Sequence, residues 1–475
     1  MNACHRHAGR RGASFALTLV LLPTILGLIA LALDIGYLCV ARSNLQACAD
    51  SAALAGASGM VYGPDEARTR ACAFASKNHA GGSAVTLLPE DIELGTWDST
   101  KRVFTPLTGD SSTHAQAVRV KPKLLQARGT GVGLILARIL GIQTADVSTS
   151  AIATFRSRDV ALVLDYSASM AYDSELGVSH LKTSDVVNTI NGMYLDLGSP
   201  KYGNMQLSPV YISSTTESTI KSTLGLTNVP YPYPSGSWSE YFSYVQNDSS
   251  IAAAGYQKKY GYLTLINYWQ AVQYKASQTP NLWKAREQPI QAVKDSVSVF
   301  LGYMQQGRTD DRAALVTYTS STGDATLEMP LTTDLDLVKD TCRHGQAGKY
   351  HTYTNIGAGI ASGRTELVAH GRLGTLRMMV LLSDGNSNWY HNQYDTYSAR
   401  NEALNQAQLT AASKIIIVTI SLGADADADL MQKIADITGG KHFIVPGGSN
   451  VSDYENQLLD VFRQIAANCP LKLVD

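Results

Sequence analysis

Residues 160–173 read VALVLDYSASMAYD. Five apolar residues run straight into Asp165, with Ser167 and Ser169 at the second and fourth positions after it. A carboxylate followed by two hydroxyls suits a nucleophile, a cation site or an ordinary turn. Two further places can complete a set. Asp384 follows the run MMVLLS in LLSDG, and Thr354 stands in HTYTNIGAG just ahead of a helix start. Asp165, Ser167, Ser169, Thr354 and Asp384 all offer oxygen, and oxygen-only sets select Mg²⁺, Mn²⁺ or Ca²⁺ over softer metals. Only the two aspartates are charged, so a divalent ion is neutralised without surplus. It stays electrophilic and keeps a coordination position for water or an incoming acid.

Other chemistries fit the pattern less well. Phosphatases that open with an aspartate after a strand need a second one two residues on, where this chain has Ser167. A serine hydrolase wants a Gly-x-Ser-x-Gly elbow and a later histidine, and DYSAS is not such an elbow. There is no HExxH, Walker A or EF-hand pattern. GTGVG at 129–133 lacks the buried strand that a dinucleotide loop requires ahead of it. The CHRH at 4–7 could hold a soft metal, but reads more simply as basic flank.

For the five oxygens to meet, strands must deliver them to one edge. VALVL (160–164), RAALVTYT (312–319), RMMVLL (377–382) and KIIIVTI (414–420) are continuous apolar runs, as expected of strands covered on both faces. Ile290, Val293, Val297, Phe300 and Met304 recur at helical spacing, with Pro289 in the first turn. Residues 355–367, 401–413 and 451–468 give further helices. The pattern predicts an α/β, doubly wound sheet, in which ligands bind beyond the carboxyl ends of the strands. With the first and fourth strands adjacent, Asp165, Ser167, Ser169, Thr354 and Asp384 converge there.

This order of motifs resembles the von Willebrand factor type A domain and its metal-ion-dependent adhesion site. DYSASM matches the family's Asp-x-Ser-x-Ser loop, TNIGAGI its threonine loop and LLSDG its Ser/Thr-Asp-Gly strand end. The resemblance covers roughly 158–170 and 285–467, and implies a Rossmann-like domain over 158–470. It further implies that Ser167, Ser169 and Thr354 are hydroxyl ligands, with Asp165 and Asp384 binding the cation directly or through water. The departure is an insertion over 171–284. It lacks a strand–helix rhythm yet holds 13 of the 24 tyrosines and three of the five tryptophans, too aromatic for a disordered linker. It is expected to fold, either over or beside the metal face or as an appended module with its own core.

The chain has 475 residues, a net charge of −1 and 45% apolar residues. This allows several domains and shows no basic excess for nucleic acid. Six cysteines without a CxxC pair exclude a zinc ribbon. Cys48 with Cys72 and Cys342 with Cys469 are candidate bridges, free thiols the alternative.

Residues 13–40 are apolar and long enough to cross a bilayer. Arg6, Arg10 and Arg11 precede them and only Arg42 is basic just after them. This predicts a cytoplasmic tail at 1–12 and everything after the helix outside. A cleaved signal peptide is the alternative, since Ala30-Leu31-Ala32 looks like a cleavage site, but the apolar run continues to Val40. Asp34 is placed near the outer end, at the interface or in helix pairing. The alanine-rich 41–60 should continue the helix and suit close packing, leading into a small α/β module. There DIELGTWD and AQAVRVKPK read as strands, and ARTRACAFASKNHA and GLILARILGI as helices.

The span and its alanine-rich continuation, RRGASFALTLVLLP…LDIGYLCVARSNLQACADSAALAGA, resemble the TadE/TadG-like family of Tad (tight-adherence) pilus assembly, which gives a TadE/TadG-like region over 41–155. The chain lacks the glutamate that a processed pseudopilin carries after its cleavage glycine, which favours a permanent tether. Three functions are then open, in order of fit. The first is a non-enzymatic, membrane-tethered protein of pilus or secretion assembly that captures a protein partner through the cation and a partner Asp or Glu. The second is a structural envelope component in which the metal only stabilises the fold. The third is a metal-dependent hydrolase, for which no general base is visible.

Overall fold

A computed structural model describes residues 11–98, 101–155, 157–306, 310–320, 325–348, 352–372, 375–447, 450–467 and 471–474. Met1–Arg156 with Cys469–Asp475 make one compact unit and Ser157–Asn468 another. The basic tail residues Arg6 and Arg10, and Cys469, lie outside the described residues.

The first unit is organised by one helix, Arg11–Gly59. Among the described residues it is the one helix long and apolar enough to cross a membrane. At about 1.5 Å per residue, some twenty residues span a hydrocarbon core of about 30 Å, so more than half of it continues beyond. The change of solvent is written in its burial. Leu17 to Leu33 are mostly exposed apolar residues, whereas Ala41, Leu45, Ala49, Ala52 and Ala53 are buried. The alanine face packs on Ala67, Ala71 and Ala75 of helix Pro64–Ala75. A Cβ on Gly59 would lie 2.8 Å from the Cα of Ala67, so the small residues do allow close helix contact.

The other side of this core is an antiparallel sheet in the order Leu471–Leu473, Ala151–Phe155, Ala117–Val120, Ile92–Asp98, Val103–Pro106. Segment 133–142, read as a helix, forms only a 3₁₀ turn at Ala137–Leu140 beside the Val132–Gly133/Thr144–Ala145 hairpin. Gly129, Gly131 and Gly133 punctuate that region, and Gly129 takes a left-handed φ of 69°. Cys48 and Cys72 are free thiols.

The second unit is built on six strands: β1 Arg158–Asp165, β2 Arg312–Tyr318, β3 Ala325–Thr332, β4 Leu376–Ser383, β5 Ile416–Leu422 and β6 His442–Val445. Their order is β3-β2-β1-β4-β5-β6, parallel except for β3 at one edge. Every residue of β1 is buried, and alternate residues serve opposite faces. Val160, Leu162 and Leu164 pack with helices Ile290–Gln306, Leu335–Arg343 and Val451–Ala467. Ala161 and Val163 pack with Ile356–His370, Thr396–Ala412 and Ala428–Thr438. Two-sided burial is why the runs are continuous rather than alternating.

The insertion is mainly helical. Thr183–Asp196, Trp238–Asn247 and Tyr262–Val272 enclose a core of their own around Ile190, Tyr241, Phe242, Tyr260 and Trp269. Several of its aromatic polar atoms are paired inside: Trp269 Nε1 donates to Tyr231 Oη at 2.9 Å, and Tyr241 Oη lies 2.9 Å from Thr264 Oγ1, whereas the buried Tyr260 hydroxyl has no hydrogen-bond partner among the described residues.

Candidate metal centre

The strand order reverses between β1 and β4, which leaves a crevice at the carboxyl edge of the sheet. Asp165 ends β1 and Asp384 follows β4. The register Leu164↔Leu382 sets Asp165 level with Ser383, and Ser383 Oγ donates to Asp165 Oδ2 at 2.7 Å. Asp165 Oδ1 accepts the backbone N–H of Ser167 at 2.9 Å. This turn swings the two serines over the strand end.

Ser167 Oγ then lies 2.9 Å from Ser169 Oγ, which donates to Asp384 Oδ1 at 2.8 Å. Four of the five predicted residues are thus brought together. Thr354 is buried beside them and held through its backbone. Its N–H donates to Asn388 Oδ1 at 2.8 Å, its carbonyl accepts from Asn388 N at 2.9 Å, and the neighbouring Thr352 carbonyl accepts from Ala168 N at 3.3 Å. Helix Ile356–His370 can bring this loop close because it lies against β1 and β2 on glycines. A Cβ on Gly359 would meet Tyr318 Cδ1 at 2.7 Å, and one on Gly363 would meet Val163 Cγ2 at 2.8 Å.

Burial pushes the Asp384 carboxyl well above the usual carboxylate range, and the charge of Asp165 adds to the rise. Burial raises Asp165 as well, against the lowering effect of the Ser383 hydroxyl and the Ser167 N–H. Their hydrogen-bond partners are neutral, so the arrangement carries two carboxylates with nothing cationic bonded to them. Among the described residues, no three His, Cys, Asp or Glu are grouped so that they could hold a metal ion. Any cation here would rely on hydroxyls for the remaining donors. The donor set fits a hard divalent ion. For ligands at about 2.0–2.1 Å, neighbouring oxygens of an octahedron are about 3.0 Å apart, near the 2.8–2.9 Å spacings of Ser167, Ser169 and Asp384.

The site opens into a cleft of about 530 Å³ whose lining includes Ser169, Asp173, His180, Asp384, Asp425 and Tyr454. One wall is the start of the insertion, where His180 Nε2 lies 2.8 Å from Asp173 Oδ1. The insertion also grips the threonine loop: Tyr274 Oη is 2.5 Å from Thr352 Oγ1. It therefore has its own core and also stands beside the candidate site, leaving Ser169 and Asp384 open to the cleft. The motifs alone did not point to Asn388, Asp173 or His180. Ser383 was visible as the residue before Asp384 in LLSDG.

Residues 283–457 match the family described as von Willebrand factor type A domain, residues 12–59 the Flp pilus-assembly TadE/G-like family, and residues 47–153 the Tad-like Flp pilus-assembly family. The type A match begins at the end of the insertion, although β1, which ends in Asp165, belongs to the same sheet. No curated protein matches. Among solved structures, the chain is similar to BatB of Bacteroides thetaiotaomicron (16% identity, 37% of this chain and 90% of that one, TM-score 0.27). It is also similar to a von Willebrand factor type A protein of Catenulispora acidiphila (11%, 79% and 48%, 0.33). A third likeness is to a mutant PilB minor pilin of Streptococcus sanguinis (10%, 80% and 88%, 0.34). These likenesses are low, and the assignment rests on the sequence matches. The chain is a fusion of a Flp pilus-assembly TadE/G-like N-terminal region, membrane-anchored by its apolar helix, with a von Willebrand factor type A domain.

Proposed function

We propose that this protein is a non-enzymatic capture component of a Tad-like pilus assembly. In this reading the tail is cytoplasmic, the type A domain is extracytoplasmic, and a divalent cation held by Asp165, Ser167, Ser169, Thr354 and Asp384 bridges to a carboxylate of a protein partner. The observation that carries it is the joined cluster of two carboxylates and two serine hydroxyls opening into a cleft. A cation bound there would supply the positive centre. The chain's own residues hold it, keep the neighbouring hydroxyls oriented and leave one side free. A purely structural ion would need no opening at Asp384. The arginine asymmetry about the span supports the orientation, and protease added to intact spheroplasts should then remove the type A domain.

The decisive experiment is in-cell cross-linking of the full chain, wild type against Asp165→Ala, with membrane insertion and folded amount measured alongside. Loss of a chelator-sensitive adduct with normal folded amount is expected. Unchanged adducts, or a variant that only loses stability, would reject the capture role in favour of the structural one.

A further inference from the structure

The anchor helix carries a buried carboxylate, Asp34, near the outer end of its apolar stretch. Asp34 is only 4% exposed. Its carboxylate accepts three consecutive backbone N–H groups from a remote loop: Ile135 at 2.7 Å, Leu136 at 3.2 Å and Ala137 at 2.7 Å. These are the unpaired donors at the start of the Ala137–Leu140 turn, so Asp34 serves as a cap supplied from the anchor. The loop it holds turns its isoleucines outward. Ile135, Ile139 and Ile142 are 48, 79 and 56% exposed. Arg138 is the single charged residue between Arg128 and Asp146, and its Nε donates back to the Leu134 carbonyl at 2.9 Å. Leu31, Leu33 and Ile35, on the helix around Asp34, are exposed as well.

Isolated exposed apolar residues need no partner, but this group is continuous with the exposed face of a membrane-spanning helix and fixed at its exit. We infer that residues 134–142 form a foot seated in the headgroup–acyl boundary of the leaflet from which the anchor emerges. The isoleucines would enter the acyl edge and Arg138 would stay among the headgroup phosphates. Asp34 acts as a positioning residue: it ties foot to anchor and so fixes the depth of the first unit. The inference rests on the anchor reading, and the test separates the two.

The full chain is placed in nanodiscs of brominated phosphatidylcholine, and tryptophan quenching beyond that of wild type is read for single variants. Leu22→Trp, within the span, should be quenched. Tyr62→Trp should not, since Tyr62 is 71% exposed and lies in the turn just past the helix end at Gly59, which is itself about 38 Å along the helix from Asp34. Ile139→Trp is expected to be quenched, and to lose that quenching with a red shift when Asp34→Ala is added. Asp34→Asn, which keeps one acceptor oxygen, should retain part of it. An unquenched Leu22→Trp would overturn the anchor itself. A quenched Leu22→Trp with an Ile139→Trp no more quenched than Tyr62→Trp would overturn the foot alone. If that unquenched Ile139→Trp is blue-shifted, the isoleucines cover a second copy and the lipid assignment falls. Quenching of Ile139→Trp indifferent to Asp34→Ala would overturn the pinning role.

Discussion

Replacing Asp384 by asparagine should remove most of the stabilisation that a divalent cation gives the type A unit. In the wild type, burial and the charge of Asp165 both work against an ionised Asp384. Without a cation, Asp384→Asn therefore melts no lower than wild type, because it removes a carboxyl that is costly to ionise there while keeping an acceptor for Ser169. With Mg²⁺ at a hundred times its dissociation constant, linkage adds about 2.7 kcal/mol to the wild type. At about 2.1 cal/mol/K of unfolding entropy per residue, a unit spanning Ser157–Asn468 gains roughly 4 °C. The variant, left with one charged ligand, gains little. The order of melting temperatures should thus cross between chelator and Mg²⁺. Intrinsic fluorescence of the detergent-solubilised chain suits the measurement, since Trp238, Trp269, Trp283 and Trp389 lie in this unit and only Trp97 in the other. Equal Mg²⁺ shifts in both proteins, or none in either, would refute a cation at Asp384.

A third carboxylate at the site, from Ser167→Asp, should make folding more dependent on the cation while weakening partner adducts, because the ion would then carry a surplus negative shell. Adducts as strong as wild type at equal cation occupancy would contradict the carboxylate bridge. Glu175 lies in the cleft-forming turn, and burial with the nearby charge of Glu287 raises its carboxyl from 4.5 to about 8. A folded value above the unfolded one means that stability is lost as pH rises from about 4.5 to about 8. Glu175→Gln should accordingly match wild type near pH 4.5 and exceed it by about 3 kcal/mol at pH 7, and denaturant titrations showing a pH-independent gap would exclude this. Gly359→Val must displace Tyr318 or Val163. It should cost about 1–3 kcal/mol and lower cation affinity by moving the Thr354 loop; a variant with unchanged stability and Mg²⁺ response would show that the helix has room.

The candidate site was legible because its residues stand at strand ends and a helix start, where sequence patterns are sharpest. Asp165 and Asp384 each follow an apolar run, and NIGAG announces the helix behind Thr354. Strand β3 was missed because it is an edge strand: ATLEMPLT is nowhere fully buried and contains Pro330. Strand β6 has four residues, too few for a pattern. Helices Leu335–Arg343 and Ala428–Thr438 did leave signals, since Asp334 and Asp427 cap them through their side chains, but acidic clusters also read as loops. The error at 133–142 has a physical cause as well. Its apolar spacing mimics a helix, whereas the glycines and the tertiary cap from Asp34 hold a single turn. In the insertion, helices of 5 to 14 residues pack through aromatic rings from separate segments, so the order lies in contacts that no local window contains.

The insertion and the Asp165–Ser169 loop are linked by topology. The chain leaves β1 through Asp165, Ser167 and Ser169 and enters the insertion at once, so the first inserted residues have to wall the crevice between β1 and β4. They are held there: Ser174 Oγ donates to Gln270 Oε1 at 2.6 Å and Leu176 N to Asn267 Oδ1 at 2.5 Å. The lining they complete carries Asp173, Asp384, Asp425 and His180 and, among the described residues, no lysine or arginine. Without a cation that cleft offers an acidic partner group nothing cationic at Asp165 or Asp384 to bind, and any ionised aspartate repels it. On the proposed reading, a divalent cation at Asp165 and Asp384 reverses the sign at the floor while the rim stays acidic. A carboxylate would then be admitted only at the one position where it reaches the ion. Discrimination between partners would come from the shape of the insertion's wall, and the dependence on metal from the charge of the floor.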